Sequence, residues 1–260
     1  MGRGLTGRGP SEPQPLYGHD ERVPGFGDAV AGRRPLPRAL FARPAPTVAP
    51  DLLGCVITHE TAAGVVAVAL SEVEAYAGEA DPASHAFRGR TARNAVMYGP
   101  PGHLYVYFTY GMHFCMNLVC APPGRASAVL LRSGRIIDGV PLARARRAAG
   151  PGSPGTVLRD VDLARGPARL CQALGIDRSH DGADLCDPAA PLRVQAASAP
   201  VPAAAITAGP RVGVSRAADI AWRFWITGDP AVSAYRAYAP RRVRAKPVAV
   251  PKPEGGTIPQ

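Results

Sequence analysis

Between residues 55 and 230 the apolar positions fall in short blocks separated by turn-forming residues, a pattern that predicts strands more often than helices. Positions 55–60 and 64–70 are two such blocks around a short turn. The second runs on through 71–76, which predicts a hairpin with one long arm. Positions 104–110 and 114–120 flank Gly111-Met112-His113 and predict a second hairpin with its tip at the glycine. Further strands are expected at 128–137, 211–215 and 222–227. Helices are fewer, one at 46–53 and one starting at Pro167 behind Gly166, since proline suits a first helical turn. Hairpins dominate over alternating strand–helix units. The expectation is therefore an α+β fold, a single domain around a curved, mostly antiparallel β-sheet with one protruding hairpin. Residues 1–34 are rich in Gly and Pro, and 241–260 are basic and Pro-rich. Both are expected to be disordered arms around a domain at 35–240. The stretch 150–155 matches Gly-x-Gly-x-x-Gly, but no strand precedes it and prolines interrupt it, so it reads as a surface loop.

Composition narrows the function classes. The 260 residues, 46% of them hydrophobic, suffice for a sizeable core. No stretch approaches the roughly 20 apolar residues of a membrane helix, so no membrane partner is expected. Arg3 is followed by no hydrophobic run, which argues against a secretory signal and for a cytoplasmic location. The five cysteines form no Cys-x-x-Cys pair, so reduced, packed thiols are expected, with no metal and no cofactor. The net charge of +10 suggests a polyanionic partner. Residues 1–40 carry +2 of it and 241–260 carry +4, which leaves a modest +4 between them. Lys246 and Lys252 are the only lysines, and both lie in the tail.

Candidate chemistry gathers in two places. In Glu72-Val73-Glu74-Ala75-Tyr76 the two carboxylates and the ring share one face of a strand, because side chains alternate with period two. His85 follows nine residues after Tyr76, and together these side chains can form a pocket wall with a general base. The bland alternative is a pair of solvated carboxylates on an edge strand beside a loop histidine. The second hairpin shifts the balance. Tyr105 and Tyr107 form an aromatic stripe, of which Tyr105 reads as core. Tyr110 beside Gly111 at a hairpin tip has little core to pack against, and aromatic wedges at such tips replace a base taken out of the stack. Asn117 interrupts an apolar strand and demands partners if buried, and Arg132 ends the apolar run 128–131.

The segments 72–78, 85–94, 104–117, 129–132 and 164–176, with the later 211–214 and 222–228, resemble in order the alkyladenine (3-methyladenine) DNA glycosylase family. The similarity spans 36–235 and excludes both tails. It implies a base-excision-repair enzyme that flips alkylated or deaminated purines out of duplex DNA and hydrolyses their N-glycosidic bond. By the same resemblance Glu74 activates the attacking water and Arg132 orients it. Tyr76, His85 and Tyr107 sandwich the flipped base. Asn117 at the pocket floor obstructs the amino group of normal guanine. Tyr110 on a DNA-inserting hairpin fills the gap in the duplex. Arg90, Thr91, Arg93, Met112 and His113 contact DNA. The partner is double-stranded DNA containing damaged purines, and the protein is expected to act as a monomer. With no lysine inside the domain, a Schiff-base lyase step is not expected, so the enzyme leaves an abasic site.

Three rival functions fit parts of this pattern. A lesion sensor that flips bases without hydrolysis would be expected to lack Glu74. A hydrolase of free nucleosides has no use for Tyr110 at a hairpin tip, and an RNA-binding sheet has no use for a carboxylate facing a pocket. Glu72 shares a face with Glu74, which would also suit a glycoside hydrolase pair, but the Tyr/His pocket would then have no purpose. A structural role for Glu72 is preferred.

Overall fold

The computed structural model describes residues 32–109, 111–150 and 158–239. Most of the two expected arms, nearly all of the 150–155 loop, and Tyr110 lie outside the described residues. The order of elements is α1 (Arg38–Phe41), α2 (Ala45–Asp51), β1 (Val56–Thr61), β2 (Gly64–Tyr76), β3 (Leu104–Thr109), β4 (His113–Val119), β5 (Ala128–Asp138), α3 (Val140–Ala149), α4 (Pro167–Leu174), β6 (Leu192–Gln195), β7 (Ile206–Gly209) and β8 (Arg223–Ile226). The strands form one antiparallel sheet in the order β3-β4-β5-β2-β1-β6, with β8 also paired to β2 and β7 to β8. The expected α+β domain with few helices is present.

β2 is the axis of this sheet. One edge pairs along its length with β5, while the other serves two partners, β1 against 64–69 and β8 against 72–74. A strand covered on both faces reads as a continuous apolar run. Val66, Ala67 and Val68 are accordingly all fully buried. Val48, Ala49 and Leu52 near α2, with Leu170, Ala173 and Leu174 on α4, join Leu70, Val73, Leu118 and Leu131 of the sheet in one core. α4 starts on Pro167 and stops at Gly175, whose positive φ of 73° lets Ile176 N–H reach the Cys171 carbonyl at 2.8 Å.

Two bulges set what faces the site. Along β2 and β5, Leu70 pairs with Gly134 and Glu72 with Ser133, so Ser71 is extra on β2. Val73 then pairs with Leu131, which makes Arg132 extra on β5. The two insertions cancel, so the register resumes, and the bulge presents Arg132 and Ser133 together to Glu72.

Several expectations are corrected. Residues 211–215 are not a strand. Val212 N–H is used on a carboxylate, and the ladder position beside β8 is taken by β7. His113, expected in the turn, is the first residue of β4 and pairs with Thr109. The helix expected at 46–53 starts one residue earlier and ends at Asp51. α3 escaped the sequence reading because its alanines and arginines show no apolar stripe, and β6 and β7 are four residues each, too short for a period.

Candidate active site

β2, β3, β4 and β5 present one face to a cavity of about 900 Å³. Tyr76 stands at the end of β2, Tyr105 and Tyr107 alternate on β3, and Asn117 lies two residues beyond Cys115 on β4. Leu130 and Arg132 come from β5, and His85 from the loop after β2. The period of two in each strand places all these side chains on the same side. Pro167 and Ala168 at the start of α4, and residues 212–215 and 236–239, supply the other walls.

Glu74 is fully buried, two residues before Tyr76 on β2. Val212 N–H donates to its Oε1 at 2.7 Å, Arg132 Nη1 lies 3.2 Å from the same oxygen, and the Tyr76 hydroxyl donates to Oε2 at 2.8 Å. All three partners line the cavity, whereas Glu74 itself does not. Oε2 accepts one hydrogen bond, from Tyr76, while Oε1 accepts one from Val212 N–H and faces the Arg132 guanidinium. Burial, then the Glu74 charge, pushes the Tyr76 hydroxyl well above its ordinary range and keeps it a donor. Burial opposes the charge on Arg132, but Glu74 and Glu72 outweigh it and keep the guanidinium protonated.

The aromatic wall is tighter than three parallel plates. His85 and Tyr107 meet edge to face with centroids 4.5 Å apart at 77°, and Tyr105 stacks beside Tyr107 at 5.6 Å. Two rings in edge contact leave no slot between them. The back of Tyr76 is closed, because the Arg211 guanidinium sits 4.7 Å from its centroid and Trp222 lies 5.3 Å from the same guanidinium. Arg211 is bidentate to Asp81, at 2.5 and 2.9 Å, and Asp81 accepts the N–H groups of Ala77 and Ala83 in the loop that carries His85. His85 is exposed on one side, yet desolvation where it packs against Tyr107 and Tyr105, then the charge of Arg93, holds it below its ordinary value. Its Nδ1 lies 3.2 Å from the Tyr105 hydroxyl. Tyr105, read as core, is 1% exposed and also touches the site through that contact.

Asn117, 5% exposed, lines the cavity and donates to the Tyr105 carbonyl at 3.1 Å. The chain belongs to the methylpurine-DNA glycosylase family. The family model, described as methylpurine-DNA glycosylase (MPG), matches residues 39–230. A Streptomyces avermitilis protein provisionally named 3-methyladenine DNA glycosylase is 55% identical over 217 residues, 83% of this chain and 99% of that protein. Counterparts with the same name from Nocardia farcinica and Leifsonia xyli are 52% identical over 212 residues and 54% over 193. They cover 80% and 73% of this chain, and 94% and 87% of their own lengths. The protein is thus a hydrolase of N-glycosyl bonds in DNA.

Around this glycosylase cavity the remaining sequence-nominated residues divide. Arg90, Thr91 and Arg93 are exposed on the loop stapled by Asn94, whose amide donates to the carbonyls of His85 and Gly89. Met112 is 58% exposed at the hairpin end, and Phe108 beside it is 46% exposed. His113 lines the cavity, and its buried Nδ1 has no partner. Tyr110 lies outside the described residues. Residues that sequence reasoning missed are Arg211, Asp81, Arg223, Ser233, and Arg236 to Ala239. The charge of Arg211 in an otherwise apolar stretch was a signal; the last four, beyond the family match, carried none. Among the described residues no helix is long and apolar enough to cross a membrane.

Proposed function

We propose that the protein flips alkylated or deaminated purines out of duplex DNA, holds each between Tyr76 and the His85–Tyr107 pair, and hydrolyses the N-glycosidic bond with Glu74 as general base. The observation that carries this reading is the buried Glu74 carboxylate, held from the cavity wall by two hydrogen-bond donors, Tyr76 and Val212, and by an ion pair with Arg132. Glu74 takes a proton from water, the oxygen attacks C1′ of the sugar, and the base leaves with the bonding electrons. Its negative charge also stabilises an oxocarbenium-like sugar, and general-base help contributes ~10²–10⁴-fold. A purine alkylated at N3 or N7 is cationic, so its departure neutralises it. A neutral His85 and two tyrosines stack on such a base without like-charge repulsion. Asn117 faces the amino group that distinguishes guanine. Tyr110 fills the vacated stack, which offsets part of the few kcal/mol of flipping. Arg90, Thr91, Arg93, Met112 and His113 contact the DNA, and the protein works as a monomer. With lysines only at 246 and 252, the product is an intact strand with an abasic site.

The test is base release from duplex DNA carrying one 7-methylguanine or one hypoxanthine, followed by alkali. Wild type is expected to release the base, with strand breaks only after alkali. Glu74→Gln is expected to lose at least about a hundredfold in rate while still binding lesion DNA. Binding by wild type without release would make the protein a sensor instead.

A further inference from the structure

Glu72 is fully buried, does not line the cavity, and accepts more hydrogen bonds than any carboxylate near the site. Arg132 Nε (2.7 Å), Arg223 Nε (2.8 Å) and Ser233 Oγ (2.8 Å) reach its Oε1. Ser133 Oγ and Ser233 N–H, both at 2.7 Å, reach its Oε2. Glu72 thereby divides Arg132. The Nε of that guanidinium is committed to Glu72, its Nη2 donates to Ser233 Oγ at 3.3 Å, and only Nη1 is left for Glu74. An arginine facing a single carboxylate prefers a two-pronged, parallel grip. Here a second carboxylate prevents it, and the paired bulges at Ser71 and Arg132 make that arrangement possible.

We infer that Glu72 is a positioning residue that keeps Arg132 to a one-point contact with Glu74 and so leaves Glu74 able to take a proton from water. The inference rests on Glu74 being the base. The charges around Glu74 balance: Glu72 and Glu74 face Arg132 from β5 and Arg223 from β8, all four nearly inaccessible. The other ionisable groups packed there are neutral or self-compensated. They are Tyr76 on β2, Tyr107 on β3, Cys115 on β4, and Arg211 with its own Asp81. Neutralising Glu72 would leave one uncompensated guanidinium charge beside Glu74. It would also loosen the hold on Nε, so that the guanidinium could turn Nη1 and Nη2 together onto Glu74, and that two-pronged grip would occupy the acceptor position that water needs.

The experiment is single-turnover release of 7-methylguanine from a duplex across the acid limb of the pH profile, for wild type, Glu72→Gln, Ser233→Ala and Glu74→Gln. The acid limb of Glu72→Gln is expected about one pH unit lower than that of wild type, since a close unlike charge shifts a carboxylate by at least about that much. Its plateau is expected to fall about tenfold or more with lesion binding retained. Ser233→Ala, which keeps both charges, is expected to move the limb the same way by less, and it serves if Glu72→Gln does not fold. An unmoved limb in every folded variant of these two would overturn the inference and make Glu72 only a clamp between β2, β8 and the chain at 233. Release surviving in Glu74→Gln would instead overturn the reading of Glu74 as base, a separate outcome.

Discussion

At the residue scale the buried polar groups are where the chemistry and the pH dependence reside. Burial pushes the Glu72 carboxyl up, but Arg132, the Ser133 hydroxyl, Arg223 and the Ser233 amide together hold it below its ordinary value, so its charge stabilises the fold down to low pH. His59 behaves oppositely. It is 6% exposed, its Nδ1 lies 2.7 Å from the Leu174 carbonyl, and burial is the first cause that lowers it from 6.5. The folded protein therefore refuses a proton that the unfolded chain accepts below about pH 6.5. Stability contributed by neutral His59 is fully present above that pH and is lost as pH falls toward the lowered folded value. Urea unfolding between pH 5 and 7.5 is expected to show stability rising with pH. His59→Gln is expected to flatten that slope; an unchanged slope would contradict the assignment. Arg211 illustrates the same logic without titration. Its fork on Asp81 and its flat contact with Tyr76 need a planar guanidinium, which a lysine does not offer.

At the scale of elements, hairpins were legible and bulges were not. The apolar blocks at 104–110 and 114–120 located β3 and β4 to within about a residue, because one face meets the core and the other the cavity. The bulges at Ser71 and Arg132 do not disturb the apolar pattern on either side, and only strand pairing reveals them. The turn after β2 is as demanding. Gly78 has φ of 66°, and a Cβ there would run into the Ala126 carbonyl. Gly78→Ala is expected to destabilise the protein by about 1–3 kcal/mol, read as a loss of several degrees in Tm. It is also expected to lower base release more than folding alone explains, since this turn leads into the Asp81–His85 loop. A variant with wild-type Tm would show that the turn tolerates a side chain.

At the scale of the whole molecule, charge governs the encounter with DNA. The net charge is +10, and exposed Arg90 and Arg93 lie on the loop beside the cavity. If about four phosphates are neutralised, raising salt from 50 to 200 mM is expected to weaken duplex binding about a hundredfold. Arg90→Ala is expected to reduce the slope of log affinity against log salt by about one. Fluorescence anisotropy on undamaged duplex checks both, and an unchanged slope would remove Arg90 from the DNA contact.

Local physics let the sequence by itself determine the strand-dominated fold, the two hairpins, the helix that begins on Pro167, and the grouping of Glu74, Tyr76 and His85 near one another. Periods of two, turn chemistry and short separations all act within a few residues. The tertiary structure alone decided which donors hold Glu74, because Val212 is 138 residues away and Ser233 reaches Glu72 across 161. It also decided that His85 and Tyr107 meet edge to face, that Arg211 packs against the Tyr76 ring, and that residues 236–239 complete a wall of the cavity. Such contacts follow from the path of the chain and from bulges that turn a side chain by one residue. No period in the sequence encodes either.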